Sequence, residues 1–163
     1  MAGERAGDGG AESIALPDAV DAEGFRAFRS GTPGRFADGF GSIRVRVEGV
    51  RVRCRIETGR AQSNISGNVH GGFIMACVDQ VMFCALIALD RLPDGGAVTL
   101  QASTNFIGAA AAGVPLDLLV ETIGETGRLM FLRGTIMQGG EQAGAVIGSF
   151  DGTLRKMRAA TPA

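Results

Sequence analysis

The stretch of residues 64–89 constrains the fold of this chain more than any other. It reads NISGNVHGGFIMACVDQVMFCALIAL, which is polar and glycine-rich at first and apolar from Phe73 onward, interrupted by Asp79 and Gln80. A helix over residues 71–89 would be about 28 Å long, enough to cross a bilayer. However, an aspartate at the bilayer centre costs about 2.5–3.5 kcal/mol, so the pattern favours a buried helix that other elements of a folded domain surround on nearly all sides.

Asp79 is the anomalous residue of this helix. Asp is a poor residue for a helix interior, and a buried carboxylate needs either a partner or a raised pKa. We therefore expect Asp79 to be buried under one of these two conditions. Its position alone leaves open a structural hydrogen bond, a water-filled seam between subunits and a catalytic role.

The start of the helix is the second unusual feature, because the only histidine, His70, precedes Gly71 and Gly72. A helix N-terminus offers unpaired N–H groups and the positive end of the helix dipole, and glycine lets a ligand approach them closely. An oxygen that develops negative charge could lie against the Gly71 or Gly72 N–H, as in an oxyanion hole. The alternative is a glycine-rich turn in which His70 caps or packs against the helix.

The spacing of His70 and Asp79 predicts a dimer. They are nine residues apart, which places them on opposite faces of a helix and about 13 Å apart along its axis. They cannot share one small site within one chain. Two antiparallel copies of the helix, related by a two-fold axis, would bring His70 of one chain toward Asp79 of the other, twice per dimer.

Charge and cysteine usage exclude several classes of protein. The 163 residues include 16 basic and 17 acidic side chains, a balance that favours neither a nucleic-acid partner nor an acidic tail. Cys54, Cys77 and Cys84 lie in apolar segments without a C-x-x-C spacing, which indicates buried, reduced thiols, and a single histidine argues against a metal site. The first residues lack the apolar core of a secretory signal. We expect a cytoplasmic protein with no membrane partner.

Local patterns divide the chain into four regions. A helix within residues 18–30 would have Val20, Phe25 and Phe28 as apolar anchors, and the glycine-rich residues 31–41 predict a loop. The regions are a disordered N-terminal tail at 1–17, an N-terminal helix and loop at 18–40, one domain at 41–155 and a C-terminal tail at 156–163.

Residues 43–56 alternate between apolar and polar, with a change of phase at Glu48-Gly49. A two-residue turn there predicts a hairpin with Val47 opposite Val50. The other face would be either a solvated sheet face or an anion-attracting surface. It carries Arg44, Arg46, Arg51, Arg53 and Arg55.

Four more strands are predicted after the helix. The links AAAAGVP, GETG and GGEQ read as hairpin turns, so the short connections favour an antiparallel meander. The expected fold class is α+β, with a curved antiparallel sheet wrapped around one long central helix. The predicted strands are residues 97–107, 116–123, 129–138 and 143–154.

This order of elements resembles the hotdog fold, and residues 64–79 resemble the signature of the phenylacetate-degradation-type (PaaI-like) hotdog acyl-CoA thioesterases. That family has an Asn, a His-Gly-Gly at the helix start six residues later, and an acidic residue nine positions beyond the His. Here these are Asn64, His70-Gly71-Gly72 and Asp79. The resemblance covers roughly residues 40–155. The loop before Asn64 departs from it, because it lacks the proline and histidine often seen there.

The resemblance implies a reaction and a set of roles. Asp79 would be the nucleophile or the general base that activates water, and the Gly71 N–H would polarise the thioester carbonyl. His70 and Asn64 would orient the thioester or the water, and Thr99 aligns loosely with a hydroxyl residue that positions water. The site would be shared between the two chains of a homodimer, possibly within a dimer of dimers. No cofactor is implied, since coenzyme A arrives as part of the substrate.

The candidate substrate-binding residues are Gly72, Phe73, Met75 and Met82, although Phe or Met on a buried helix is more often plain core. Two other functions remain open, a non-catalytic acyl-CoA-binding sensor module and a hotdog hydratase or dehydratase. A serine hydrolase is unsupported, because no G-x-S-x-G sequence is present. A Cys77–His70 dyad also fails, because helical spacing separates the two by about 10 Å.

Overall fold

Seven antiparallel strands form one sheet in the computed structural model, which describes residues 16–28, 34–140 and 144–159. The strand order is β1-β2-β3-β5-β6-β7-β4. The α-helix of the described chain, α1, is Gly71–Ala88, and two short 3-10 helices are Phe36–Phe40 and Arg60–Gln62. The strands are β1 Arg26–Phe28, β2 Ile43–Glu48, β3 Arg51–Ile56, β4 Ala97–Phe106, β5 Leu116–Glu125, β6 Leu129–Gln138 and β7 Ala145–Lys156.

One face of α1 packs against the sheet. Strand residues such as Leu118, Leu132 and Leu154 have no exposed surface and belong to the same core. This packing confirms the predicted α+β class and the curved antiparallel sheet around one helix. By length and hydropathy α1 passes the test for a membrane span, as core helices of folded domains also do. Its buried residues are Ile74, Cys77, Val78, Val81, Met82, Cys84, Ala85 and Leu86.

The opposite face of α1 is open, so the prediction of a helix covered on nearly all sides is wrong for the single chain. Gly72, Met75 and Asp79 are exposed along this face, and Met75 keeps 52% of its surface. A sheet covers one side of a helix, so a helix that is apolar on most sides needs a second covering surface.

The predicted meander is correct for β5, β6 and β7 and wrong for β4. β4 pairs with β7, at the opposite edge of the sheet from β1. The link of residues 107–115 is therefore not a hairpin turn. It passes the start of α1, where Asn68 bridges Ala111 and the Val69 N–H donates to the Ala110 carbonyl at 2.7 Å. The chain then reaches β5 beside β3.

The helix predicted within residues 18–30 is absent from residues 16–28. Asp21 Oδ1 accepts the N–H groups of Glu23 at 2.9 Å and Phe25 at 3.0 Å, a local arrangement that competes with helix formation. The chain then enters β1, which pairs antiparallel with β2.

The remaining regions differ in smaller ways. The loop predicted at 31–41 contains the 3-10 helix Phe36–Phe40, and β7 continues to Lys156, into the predicted C-terminal tail. The predictions for residues 1–15, 29–33, 141–143 and 160–163 lie outside the described residues. Residues 141–143 include part of the GGEQ link and the first residue of the strand predicted at 143–154.

The β2–β3 hairpin turns one residue later than predicted. Val47 pairs with Val52, and the turn is Gly49-Val50, with Gly49 at a φ of 63°. Val50 is consequently 79% exposed. The left-handed φ at Gly49 explains the position of the turn, because glycine adopts it without steric cost.

The arginine face of the hairpin is mostly engaged in contacts within the chain, although the side chain of Arg51 is 60% exposed. Asp117 of β5 is 3% exposed and accepts from Arg55 Nε at 2.7 Å and from Arg53 Nη1 at 3.3 Å. Arg53 also donates to Glu48, and this bond holds the pKa of the Glu48 carboxyl below its usual value. Phe25 is 1% exposed beneath three guanidinium groups. Those of Arg44, Arg46 and Arg55 lie 4.8, 4.5 and 5.0 Å from its ring centroid.

We predict that Asp117→Ala lowers the free energy of unfolding by about 3 kcal/mol, because it leaves buried arginine charge without its partner. Urea denaturation measures the change. Asp151→Ala is the control, since Asp151 is exposed on β7 and accepts from Gln101 Nε2, and it should cost far less. Equal losses in the two variants would contradict a role for the buried arginine–aspartate cluster.

Candidate active site

The two glycine N–H groups at the start of α1 differ in whether they have a hydrogen-bond acceptor. His70 is the N-cap residue, and its Nδ1 accepts the Gly72 N–H at 2.9 Å. The His70 carbonyl accepts the N–H groups of Phe73 and Ile74. Within the described residues, the Gly71 N–H has no acceptor. It is therefore the donor that remains for a ligand at the positive end of the helix.

The cap also fixes the tautomer of His70. A neutral imidazole whose Nδ1 accepts a hydrogen bond carries its proton on Nε2. Nε2–H is then a second donor at the helix start, on an exposed side chain. The capping interpretation of His70 is thus realised in the structure, and the cap leaves the other ring nitrogen available.

Asn64 organises the loop that leads to the helix. Its Oδ1 accepts the N–H groups of Ser66 at 2.9 Å and Asn68 at 3.1 Å, and the Asn64 backbone N–H donates to the Asn68 carbonyl at 2.7 Å. The amide Nδ2 has no partner within the described residues. Asn64 can therefore offer a donor to a ligand while its oxygen holds the loop.

Asp79 lies on the open face of α1 and is exposed, so the expectation that it is buried is wrong for the single chain. The expectation of a partner is met, because Thr99 Oγ1 donates to Asp79 Oδ1 at 2.7 Å. The pairing of β4 with β7 shifts register between Thr99 and Gln101. Such an irregularity changes the direction of a side chain, and here it lies at Thr99, which contacts Asp79.

The predicted site residues thus fall into two groups. Asn64, His70 and Gly71 lie at the helix start, whereas Asp79 and Thr99 lie about 12 Å along the axis, measured over eight helical residues. The structure does not bring the two groups together within one chain. This agrees with the separation along the helix axis that the sequence predicts.

The four predicted substrate-binding residues differ in accessibility. Gly72 and Met75 are exposed and Phe73 is half-buried. Met82 has no exposed surface, and a Cβ on Gly152 of β7 would collide with its Sδ. Met82 therefore packs on the sheet in the core of the single chain, and its role in substrate binding stays a prediction.

The cysteines are unsuited to nucleophilic chemistry. Burial raises the pKa of Cys77 to about 12 and that of Cys84 to about 12, and it raises the pKa of Cys54 as well. All three thiols are free and buried. In the described part of the chain, no group of three His, Cys, Asp or Glu side chains is placed to hold a metal ion.

Aromatic residues near the helix start were missed in the sequence. A Cβ on Gly71 would lie 3.5 Å from Cζ of Phe106, and the Phe40 ring lies 5.7 Å from the Phe73 ring. Phe106 reads as an ordinary strand residue and Phe40 as part of a loop. The two phenylalanines of FADGF, four residues apart, were the available sequence signal for apolar packing by this loop.

Comparison with known proteins identifies the fold. A family model described as the thioesterase superfamily matches residues 66–145, which are 80 of the 163 residues. The chain has the hotdog fold and resembles the thioesterase superfamily over the matched residues. No curated protein matches the sequence at a significant level.

Solved structures agree with this hotdog assignment at low sequence identity. A mutant of the phenylacetic acid degradation protein PaaI of Thermus thermophilus is 20% identical, with a TM-score of 0.59, covering 75% of this chain and 98% of its own. Zebrafish thioesterase superfamily member 2 is 19% identical, with a TM-score of 0.64 and coverages of 77% and 88%. A hypothetical thioesterase of Streptococcus pneumoniae with coenzyme A is 20% identical, with a TM-score of 0.60 and coverages of 71% and 89%.

These comparisons confirm the resemblance to hotdog thioesterases. The family model agrees with the predicted thioesterase, and the solved structures agree with the predicted fold.

We predict that His70→Ala lowers the free energy of unfolding by about 1 kcal/mol, the typical cost of losing a helix cap. His70→Asn should restore most of this loss, because the Asn oxygen can accept the Gly72 N–H. Thermal and urea unfolding of the parent, His70→Ala and His70→Asn measure the free energy of unfolding. Equal stability of His70→Ala and the parent would mean that the cap contributes nothing in solution.

Proposed function

We propose that this protein hydrolyses acyl-CoA thioesters to a free acid and coenzyme A, in sites shared between the two chains of a homodimer. The observation that carries the proposal is the open face of α1. It begins at a backbone donor without an acceptor, Gly71 N–H, and it displays a carboxylate, Asp79, that Thr99 holds in place. Thioester hydrolysis needs a polarised carbonyl and an activated water or nucleophile.

The helix start is suited to the carbonyl oxygen. The Gly71 N–H and the His70 Nε2–H can both donate to an oxygen that gains negative charge in the tetrahedral intermediate, and the helix dipole favours that charge. The Asn64 Nδ2 is a further donor at the edge of this group. These donors are fixed before substrate binds, by the His70 cap and by the Asn64 loop.

The carboxylate of Asp79 supplies the second half of the reaction. Its Oδ1 accepts the Thr99 hydroxyl, which leaves Oδ2 for the reacting atoms. As a general base it would take a proton from water while the water oxygen attacks the carbonyl carbon. As a nucleophile it would attack the carbon directly and form an anhydride that water then cleaves. In both cases the C–S bond breaks and coenzyme A leaves as the thiol.

Two chains are needed because the two groups lie apart on one helix. The open face of α1 and the outer edge of β4 are two surfaces that the single chain leaves without cover. Along β4 and the residue that follows, Leu100, Phe106 and Ile107 are 53%, 49% and 68% exposed. A second copy on this surface would cover apolar area and bring His70 of one chain toward Asp79 of the other. We also propose that two such dimers associate and that the protein is cytoplasmic. Its three free, buried thiols support a cytoplasmic location.

Release of thiol from a panel of acyl-CoAs separates this proposal from its alternatives. A thiol reagent reports hydrolysis directly. An acyl-CoA sensor would bind the same compounds without releasing thiol. A hydratase or dehydratase would convert 3-hydroxyacyl-CoA and enoyl-CoA into one another and leave the thioester intact. Absence of thiol release across the panel, with a folded dimer, would overturn the hydrolytic function.

We predict that Asp79→Asn lowers kcat at least about a hundredfold, because the amide keeps the shape of the side chain and loses its basicity. Stability should change little, since Asp79 is exposed in the chain. Asp94→Asn is the control, as an aspartate in the turn after α1 and away from the open face, and it should leave kcat unchanged. Near-parental kcat in a folded Asp79→Asn protein would remove Asp79 from the mechanism.

A subunit-mixing experiment tests the shared site. One parent carries Asn64→Asp and His70→Asn, and the other carries Asp79→Asn, so each homodimer is nearly inactive. After unfolding and refolding together, half of the dimers are mixed, and one of the two sites in each mixed dimer has no lesion. Activity should therefore recover to about a quarter of the unmutated protein by two-fold symmetry.

The control for this experiment is the degree of exchange, which mass spectrometry of differently tagged chains measures. Sites built within one chain would always carry a lesion. No recovery of activity despite confirmed exchange would therefore contradict the shared site.

A further inference from the structure

Three polar side chains are buried among the described residues, and only Gln138 of these three lies outside the arginine–aspartate cluster. The other two, Arg53 and Asp117, pair with each other on the outer face of the sheet. Gln138 is the last residue of β6 and is 8% exposed. It follows the alternation of Leu132 and Ile136, which have no exposed surface, so its amide lies on the same side of the sheet as α1.

The Gln138 amide holds the link of residues 107–115. Its Oε1 accepts the Ala111 N–H at 2.7 Å, and its Nε2 donates to the carbonyls of Ala111 and Val114, at 2.9 Å in both cases. A glutamine amide has two N–H donors and one carbonyl oxygen, so both donors and the oxygen are used. The backbone of the link is thereby fixed, because a broken bond would leave part of a buried amide unpaired.

The same link holds the loop that leads into α1. The Ala110 carbonyl accepts the Val69 N–H at 2.7 Å, and Asn68 forms a β-bridge with Ala111. Ala110 is 2% exposed and Val69 4% exposed, so this contact is shielded from water. Val69 is followed directly by His70, the N-cap residue. The position of the link therefore determines where the helix starts.

We propose that Gln138 is a positioning residue for the thioester carbonyl, and that it acts through the link and the loop on the Gly71 N–H. This inference rests on the proposed function, in which that N–H polarises the carbonyl. A donor of this kind acts at about 2.7–3.1 Å from the developing charge, so a small displacement of the helix start weakens it. Gln138 is buried and acts on the reaction only through these backbone contacts.

The first experiment measures thiol release by two variants of Gln138. Gln138→Met keeps the length of the side chain and removes all three hydrogen bonds. It should lower kcat about tenfold and change KM less than about twofold, because the carbonyl oxygen carries more charge in the transition state than in the bound substrate. The apparent pKa in the pH profile of kcat should not move, since Asp79 lies in the other group of site residues.

Gln138→Glu keeps an acceptor for the Ala111 N–H and turns its second oxygen toward two carbonyl oxygens. It should therefore lower kcat at least as much as Gln138→Met does. It also replaces Gln138→Met in both experiments if that variant does not fold. Failure of both variants to fold would make Gln138 a folding residue and overturn the inference.

Two controls separate positioning from a general loss of stability. Ile136→Val truncates an equally buried side chain of β6 and leaves the hydrogen bonds of the link intact. Thr58→Val removes a different anchor of the link, since Thr58 Oγ1 donates to the Val114 carbonyl at 2.8 Å and accepts the Gly113 N–H at 3.2 Å. Both should lower kcat less than about twofold. A loss in either control equal to that in Gln138→Met would overturn the inference.

The second experiment needs no substrate. Hydrogen exchange followed by NMR reports on the Val69 N–H, whose bond to the Ala110 carbonyl depends on Gln138 in this proposal. Exchange at Val69 should be about tenfold faster in Gln138→Met than in Ile136→Val, which corrects for the loss of global stability. The amide resonance of Gly71 should shift in Gln138→Met and stay in place in Ile136→Val.

The two experiments fail separately. Equal exchange at Val69 in Gln138→Met and Ile136→Val would overturn the inference even if the protein hydrolyses thioesters. Faster exchange at Val69, in a protein that releases no thiol from any acyl-CoA, would retain the effect of Gln138 on the helix start and overturn the proposed function.

Discussion

The one-sided packing of α1 is the constraint on which the rest of the structure depends. The sheet covers the face that carries Ile74, Val78 and Val81, and it leaves Asp79 on the other face. If the sheet closed around the whole helix, Asp79 would lose contact with water and would need a buried cationic partner. The open face instead leaves Asp79 exposed on an otherwise apolar helix, where Thr99 donates a hydrogen bond to it. The same open face is where the proposed mechanism places a second chain.

Much of the fold could be predicted because it follows from local patterns. Apolar residues continuous over residues 73–89 fix the helix, and alternation fixes β2 and β3 to within a residue. The spacing of Asn64, His70 and Asp79 is likewise local, since a helix start and a fixed number of helical residues determine where each lies. The choice of Thr99 as a site residue depended on the family resemblance, and its contact with Asp79 was not predicted, because a register shift in β4 lies at this residue.

The remaining features depend on contacts between distant parts of the chain. Nothing local to residues 107–115 distinguishes a hairpin turn from the link that crosses the start of α1, since the difference lies in contacts with Asn68 and Val69. The N-terminal strand β1 exists because β2 offers an unpaired edge, which overrides the weak helical pattern of that segment. The exposure of Asp79 is equally non-local, because it depends on which side of the helix the sheet covers.

The N-terminal segment makes contacts on both faces of the sheet. On the outer face, Phe25 is buried beneath the arginines of β2 and β3, and Asp21 and Glu23 contribute to their neutralisation. Such committed arginines are poorly suited to the phosphates of coenzyme A. Further along, the same segment brings Phe40 against Phe73 at the helix start. Its contacts there are apolar, so ion pairs attach this segment on the outer face of the sheet and aromatic packing attaches it at the helix start.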